Sequence, residues 1–237
     1  MEQTNKWKEI WNRHKANLTG NEDFKTLVLE LKKANGFDVI SDDGVSFESW
    51  VKHIQTTLAL LGDDISSIYE VGCGSGANLV MFQNFGISKV GGMDYSESLF
   101  RVAQRATKSN DIICCEASAF PEEPMYDAVI TDSVTQYLPT IEYAEKMFEK
   151  MVRKAIKVIA VLDVHNADLK EKWQSNRRAV IDNYEEKYAG LDDAKLFIGK
   201  NFFESFAKKH GLSISYYDTE IENYWNGKYT YNVFMHK

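Results

Sequence analysis

Hydrophobic positions along this chain change their period near residue 62. Before it the spacing is helical: Trp7 and Trp11 lie one turn apart, and Phe47, Trp50, Val51, Ile54, Leu58 and Leu61 recur at intervals of three and four. Gly62 predicts the end of that helix. From Ile65 onward, short β-branched runs alternate with amphipathic stretches, as expected of parallel strands joined by crossover helices. The predicted strands are Ser67–Val71, Lys89–Met93, Ile112–Cys115, Ala128–Thr131 and Val158–Val164. Helices fit between them at Ala77–Phe85, around Leu99, Val102, Ala103 and Ala106, and around Ile141, Ala144, Phe148, Met151 and Val152. A charge-rich stretch over 168–188 places Trp173, Val180, Tyr184 and Tyr188 near one helical stripe. Phe203, Phe206 and Ala207 then line a helix ended by Gly211. In the tail, Leu212–Asp218 and Tyr229–His236 alternate on either side of a turn near Asn226-Gly227, which predicts an antiparallel hairpin at the sheet edge.

Composition narrows the function classes. The 237 residues include 28 basic and 35 acidic side chains, for a net charge of -7. An acidic chain without a basic run lacks the electrostatic footprint of most nucleic-acid binders. With 44% apolar residues it is able to bury a substantial core. Its apolar stretches are short, and residues 1–30 are polar where a signal peptide would be apolar, so a soluble cytoplasmic protein with no membrane partner is expected. Cys73, Cys114 and Cys115 form neither a paired framework nor a metal-binding CxxC spacing, in keeping with a reducing compartment. Asp132, Asp163, Asn166 and Asp168 offer oxygen ligands, but no spacing selects them, and no metal is expected.

The chemistry concentrates where the first predicted strand meets its helix, at Glu70-Val71-Gly72-Cys73-Gly74-Ser75-Gly76-Ala77-Asn78. Gly72, Gly74 and Gly76 allow a ligand close to the backbone, and a helix start offers free N–H groups. Gly72, Gly74 and Ala77 also satisfy a dinucleotide fingerprint, so spacing alone leaves the ligand open. Glu70 at the strand end would repel a pyrophosphate and favour a cation. Asp94 ends the second strand, about where an acid accepts bonds from ribose hydroxyls, although Asp94-Tyr95-Ser96-Glu97 also reads as a helix start. Tyr95 is placed to cover a base or to close the core, and Cys73 reads as a small filler whose backbone meets the ligand.

Glu70-Val71-Gly72-Cys73-Gly74-Ser75-Gly76-Ala77-Asn78, followed by Gly92-Met93-Asp94-Tyr95-Ser96, resembles the first two cofactor motifs of class I S-adenosylmethionine-dependent methyltransferases. Cys115-Glu116-Ala117 resembles the family's acid-Ala segment after strand three, and Tyr126–Leu138 its fourth strand and exit loop. The resemblance implies an α/β fold: a doubly wound, seven-stranded, mostly parallel, Rossmann-like sheet with a terminal antiparallel hairpin. The organisation expected is a helical cap or lid over 1–62 and a core over 63–237, with a helical insertion after strand five at about 166–198. The implied cofactor is S-adenosylmethionine, leaving as S-adenosylhomocysteine. Its site would comprise Glu70, Gly72, Cys73, Gly74, Gly76, Asp94, Tyr95, Ser96, Glu116, Ala117, Asp132 and Ser133. Within that set the resemblance gives Glu116 the adenine amino group, though Glu116 equally reads as a solvated loop acid.

For the acceptor side, His165 follows the fifth predicted strand on the ligand-binding edge and is the candidate base, a capping or loop role being the alternative. The other histidines, among them His53, read as structural or solvated. Trp11, Arg13, Gln136, Tyr137, Arg177 and Arg178 are the candidate acceptor contacts, with the arginines suited to a carboxylate or phosphate. The implied reaction is direct in-line methyl transfer to a polar small molecule, O-methylation favoured, sugar-related or anionic. A protein or RNA methyltransferase, or a cofactor-binding sensor without transfer, are the alternatives.

Overall fold

The computed structural model describes residues 2–37 and 44–237. Three helices lead: α1 (Glu2–Asn12), α2 (Phe24–Ala34) and α3 (Phe47–Leu61). Asp23 and Ser46 cap α2 and α3 by accepting the Thr26 and Ser49 amides, and Gly62 at φ 107 ends α3 as expected. The helical reading of 1–62 is thus resolved into three pieces, and its portion over 38–43 lies outside the described residues.

The core then follows as β1 (Ser67–Val71), α4 (Ala77–Asn84), β2 (Lys89–Asp94), α5 (Glu97–Thr107), β3 (Ile112–Cys114), β4 (Tyr126–Asp132), α6 (Ile141–Lys154) and β5 (Ala155–His165). Beyond it come α7 (Lys170–Val180), α8 (Tyr184–Lys187), α9 (Ala189–Asp193), α10 (Lys200–His210), β6 (Ser213–Asp218) and β7 (Thr230–His236). The seven strands lie in the order β3-β2-β1-β4-β5-β7-β6, with β7 antiparallel to both neighbours. The terminal hairpin is present, but 11 residues, not a tight turn at Asn226-Gly227, connect its strands; those two residues instead open a short 3-10 turn. The helical stripe expected over 168–188 is broken between α7 and α8, so Trp173 and Tyr184 are buried while Val180 is exposed.

Helices cover both faces, giving the central strands near-continuous apolar runs. Side-chain alternation sends Tyr69 and Val71 of β1 towards Phe148, Met151 and Phe203, and Ile68 towards Leu79, Phe82 and Trp50. Strand order reverses between β1 and β4, and the carboxyl ends of these strands open into the crevice where open α/β sheets bind ligands. α1 packs on α5, and α2 on α3 and α4, which brings the N-terminal helices over that crevice.

Candidate functional site

A cleft lies at the carboxyl edge of β1, β2 and β4, where open α/β sheets bind ligands. Its floor is the turn from β1 to α4. Gly72 (φ 76) faces Val134 and Gly74 (φ 53) faces Asn35; a Cβ at either would lie 2.4 or 2.5 Å from those side chains, respectively. The amides of residues 72–76 are all engaged within the protein. Gly72 and Cys73 donate to Met93 O, Gly74 to Asp94 Oδ2, Ser75 to Asn35 Oδ1, and Gly76 to Cys73 O. The turn therefore offers a bare surface for a flat nucleoside, not a nest for phosphates.

Glu70, Asp132, Asn78 and Lys32 gather at one end. The Asn78 amide donates to Glu70 Oε1 at 2.7 Å and to Asp132 Oδ2 at 3.0 Å, while its Oδ1 accepts from Lys32 Nζ at 2.8 Å. Burial, then the charge of Asp132, pushes the Glu70 carboxyl upward, and its Oε2 is buried without a partner. Burial also works to raise Asp132, but the hydrogen bond and charge of His53, with help from Lys32 and Asn78, bring it down to about 2. His53 Nε2 lies 3.3 Å from Asp132 Oδ2. Ser133 (φ 57) and Asp163 (φ 56) hold left-handed backbone conformations at the ends of adjacent strands, joined by Ser133 Oγ donating to Asp163 Oδ2 at 2.8 Å. Each such conformation costs roughly 1–3 kcal/mol and marks a place where local geometry is imposed by its surroundings.

Asp94, Tyr95, Leu99, Glu116, Ala117 and Tyr143 line the other end. Asp94 accepts from the Gly74 and Ser96 amides, each at 2.8 Å, and burial raises it to about 6 despite those bonds. Each oxygen keeps a lone pair for a further donor. Glu116 forms an exposed ion pair with Lys8 at 3.6 Å. Trp11, Phe37, Trp50 and Tyr137 supply aromatic walls, with Trp7 and Trp11 packed edge-on against Tyr137.

Of the residues anticipated from the sequence, Glu70, Gly72, Cys73, Gly74, Asp94, Tyr95, Glu116, Ala117, Asp132, Ser133, Trp11 and Tyr137 line this cavity. The others stand elsewhere. Gly76 faces Ala103 and Thr107 of α5, and Ser96 caps α5 while donating to Asn12. Gln136 is buried and donates to Ser133 O, bracing the loop behind the cavity. Arg13 is exposed; Arg177 is paired with Asp192 at 2.5 Å and Arg178 with Glu185 at 2.9 Å. His165 is a correction: β5 carries it into a fully buried position between Trp173 and Phe197, with neither ring nitrogen bonded. Burial, then Lys195 and Arg177, lowers its pKa to about 3, which leaves it a poor proton acceptor. No local pattern signals Lys32, Asn35 or the bond from His53 to Asp132, while Asn78 stands in the glycine motif without an assigned role.

These residues fit S-adenosylmethionine. A glycine-lined turn without free amides suits a nucleoside, Asp94 suits its ribose, and the orphaned Glu70 oxygen beside Asp132 suits a cation. Among known proteins, a family described as "Methyltransferase domain" matches residues 69–159. The chain is 27% identical over 147 residues to the nonribosomal peptide synthetase asqK of Emericella nidulans; the match takes in 57% of this chain and only 6% of that protein. Magnesium protoporphyrin IX methyltransferase (ChlM) from Synechocystis PCC 6803, solved with bound SAM, has a similar fold: TM-score 0.57, 18% identity, 93% of this chain and 100% of that one. Streptomyces venezuelae DesVI gives a TM-score of 0.59 at 13% identity, over 79% of this chain and 91% of that one. The plantazolicin methyltransferase BpumL, solved with SAH, gives 0.55 at 18%, over 80% and 81%.

Proposed function

Because this chain carries a class I S-adenosylmethionine-dependent methyltransferase domain, we propose that it methylates a polar small molecule inside the cleft, preferably on oxygen. The observation that supports this reading is the cleft's construction: a nucleoside-shaped floor, an acid pair at one end, and aromatic walls contributed partly by helices α1 and α3. The cofactor supplies an activated methyl group on a sulfonium. The chain's own residues bind and orient. Asp94 takes the ribose, Tyr95 the base, Glu116 the adenine edge, and Glu70 with Asp132 the cationic end. Trp11, Phe37, Trp50 and Tyr137 keep water from the reacting end, so that positioning in a closed site carries most of the rate enhancement.

Two finer expectations change. An anionic acceptor loses its support, since Arg177 and Arg178 are spent on Asp192 and Glu185. Protein or RNA as acceptor would require an open basic groove, whereas Lys32 is the one cation lining the cleft among the described residues. Incubation with methyl-labelled S-adenosylmethionine and fractionated cell extract tests the proposal. Label is expected in the small-molecule fraction. Label in protein or nucleic acid overturns the acceptor class, and binding without transfer to any fraction supports the sensor alternative.

A further inference from the structure

Lys32 poses a problem that the cofactor residues above do not resolve. It is 2% exposed, and among the described residues its ammonium has one hydrogen bond, to Asn78 Oδ1. It lies over the Trp50 ring at 3.6 Å from the centroid and near Phe37 at 5.5 Å. No described carboxylate comes within ion-pair distance of it. Burying an ammonium with a single described oxygen partner is costly, and burial accordingly lowers its pKa against the pull of Asp132, Glu70 and Asp163.

The arrangement has the shape of a receptor for a zwitterion. One amide, that of Asn78, spans the distance between Lys32 on its oxygen side and Glu70 with Asp132 on its nitrogen side. An α-amino acid carries its ammonium and carboxylate on a single carbon, at a similarly short separation. The acid pair accounts for the ammonium and leaves the carboxylate without a counter-charge. Among the described residues, Lys32 is the one cation lining the cleft to provide it.

We infer that Lys32 binds the carboxylate of the cofactor's amino-acid end, and so selects the intact cofactor over forms that lack that group. This rests on the cleft being the S-adenosylmethionine site. It also gives α2 a function: the helix delivers Lys32 to the cleft, and just beyond its end Asn35 holds the Ser75 amide at 2.8 Å. Charge-assisted hydrogen bonds of this kind are among the stronger ones in proteins.

Calorimetric titration separates the possibilities, using S-adenosylhomocysteine, its decarboxylated analogue, which keeps the ammonium, and methylthioadenosine, which lacks the whole amino-acid end. Lys32→Met retains a long apolar stem over Trp50. It is expected to weaken S-adenosylhomocysteine about 10- to 100-fold while the other two ligands bind as tightly as before or tighter. Lys32→Arg is expected to recover part of the loss. Equal losses for all three ligands would make Lys32 a packing residue and overturn the inference. Tighter S-adenosylhomocysteine in Lys32→Met would overturn it differently, showing that the lysine competes with the ligand's ammonium. Failure of the wild-type protein to bind any of the three would instead refute the cofactor site itself.

Discussion

Asp94 shows how one side chain links the loop to the ligand. Its two oxygens already hold the Gly74 and Ser96 amides, and burial raises its pKa to about 6. A ribose hydroxyl donates best to the charged form, so affinity is lost as pH falls through that value and Asp94 takes up a proton. We expect S-adenosylhomocysteine to bind more weakly below about pH 6. Asp94→Asn should bind about tenfold more weakly at neutral pH and lose that step in its profile; a step of unchanged size in the variant would assign it to another group. Asp94 and Glu70 were legible because both stand at strand ends beside glycines. His53 was not, because its bond to Asp132 joins residues 79 positions apart and no local pattern signals it. His165 misled for a physical reason: β5 continues one residue further than the hydrophobic run suggests, and its last side chain enters the core under Trp173.

The element whose role was hidden is α2. Lys32 and Lys33 end it side by side, which in sequence is an ordinary basic last turn complementing the helix dipole. Only the packing against α3 and α4 turns Lys32 inward while Lys33 remains exposed. Asn35 likewise reads as a helix end, yet it supplies the acceptor for the Ser75 amide. Asn35→Ala should leave that buried amide unpaired, at a cost of about 1–2 kcal/mol in stability. It should also weaken S-adenosylhomocysteine several-fold, measurable by denaturant unfolding and titration in parallel. Loss of stability with cofactor affinity unchanged would show that α2 serves the fold alone.

For the molecule as a whole, the alternation of short apolar runs with helices foretold the sheet, because crossover packing leaves that imprint on every strand and helix. The connection between β6 and β7 was less legible, since 11 residues with their own 3-10 turn fill a span where Asn226-Gly227 resembles a tight hairpin. The two ends of the sheet divide stability from function. Far from the cleft, Asp127 Oδ2 accepts from the amides and hydroxyls of both Ser66 and Ser67, tying the start of β4 to β1. Asp127→Ala should cost about 3 kcal/mol of stability and leave ligand affinity intact at temperatures where the variant is folded. Coupled loss of both would contradict this separation.

Most directly at issue is whether the glycine-floored cleft is the cofactor site. Calorimetric titration of the wild-type chain with S-adenosylhomocysteine, repeated with Glu70→Ala and Asp94→Ala and with a nicotinamide dinucleotide as the alternative ligand, decides it. The predicted result is one saturable site for S-adenosylhomocysteine, clearly weakened in both folded variants, and no binding of the dinucleotide. Unchanged affinity in both variants, or preference for the dinucleotide, would contradict it.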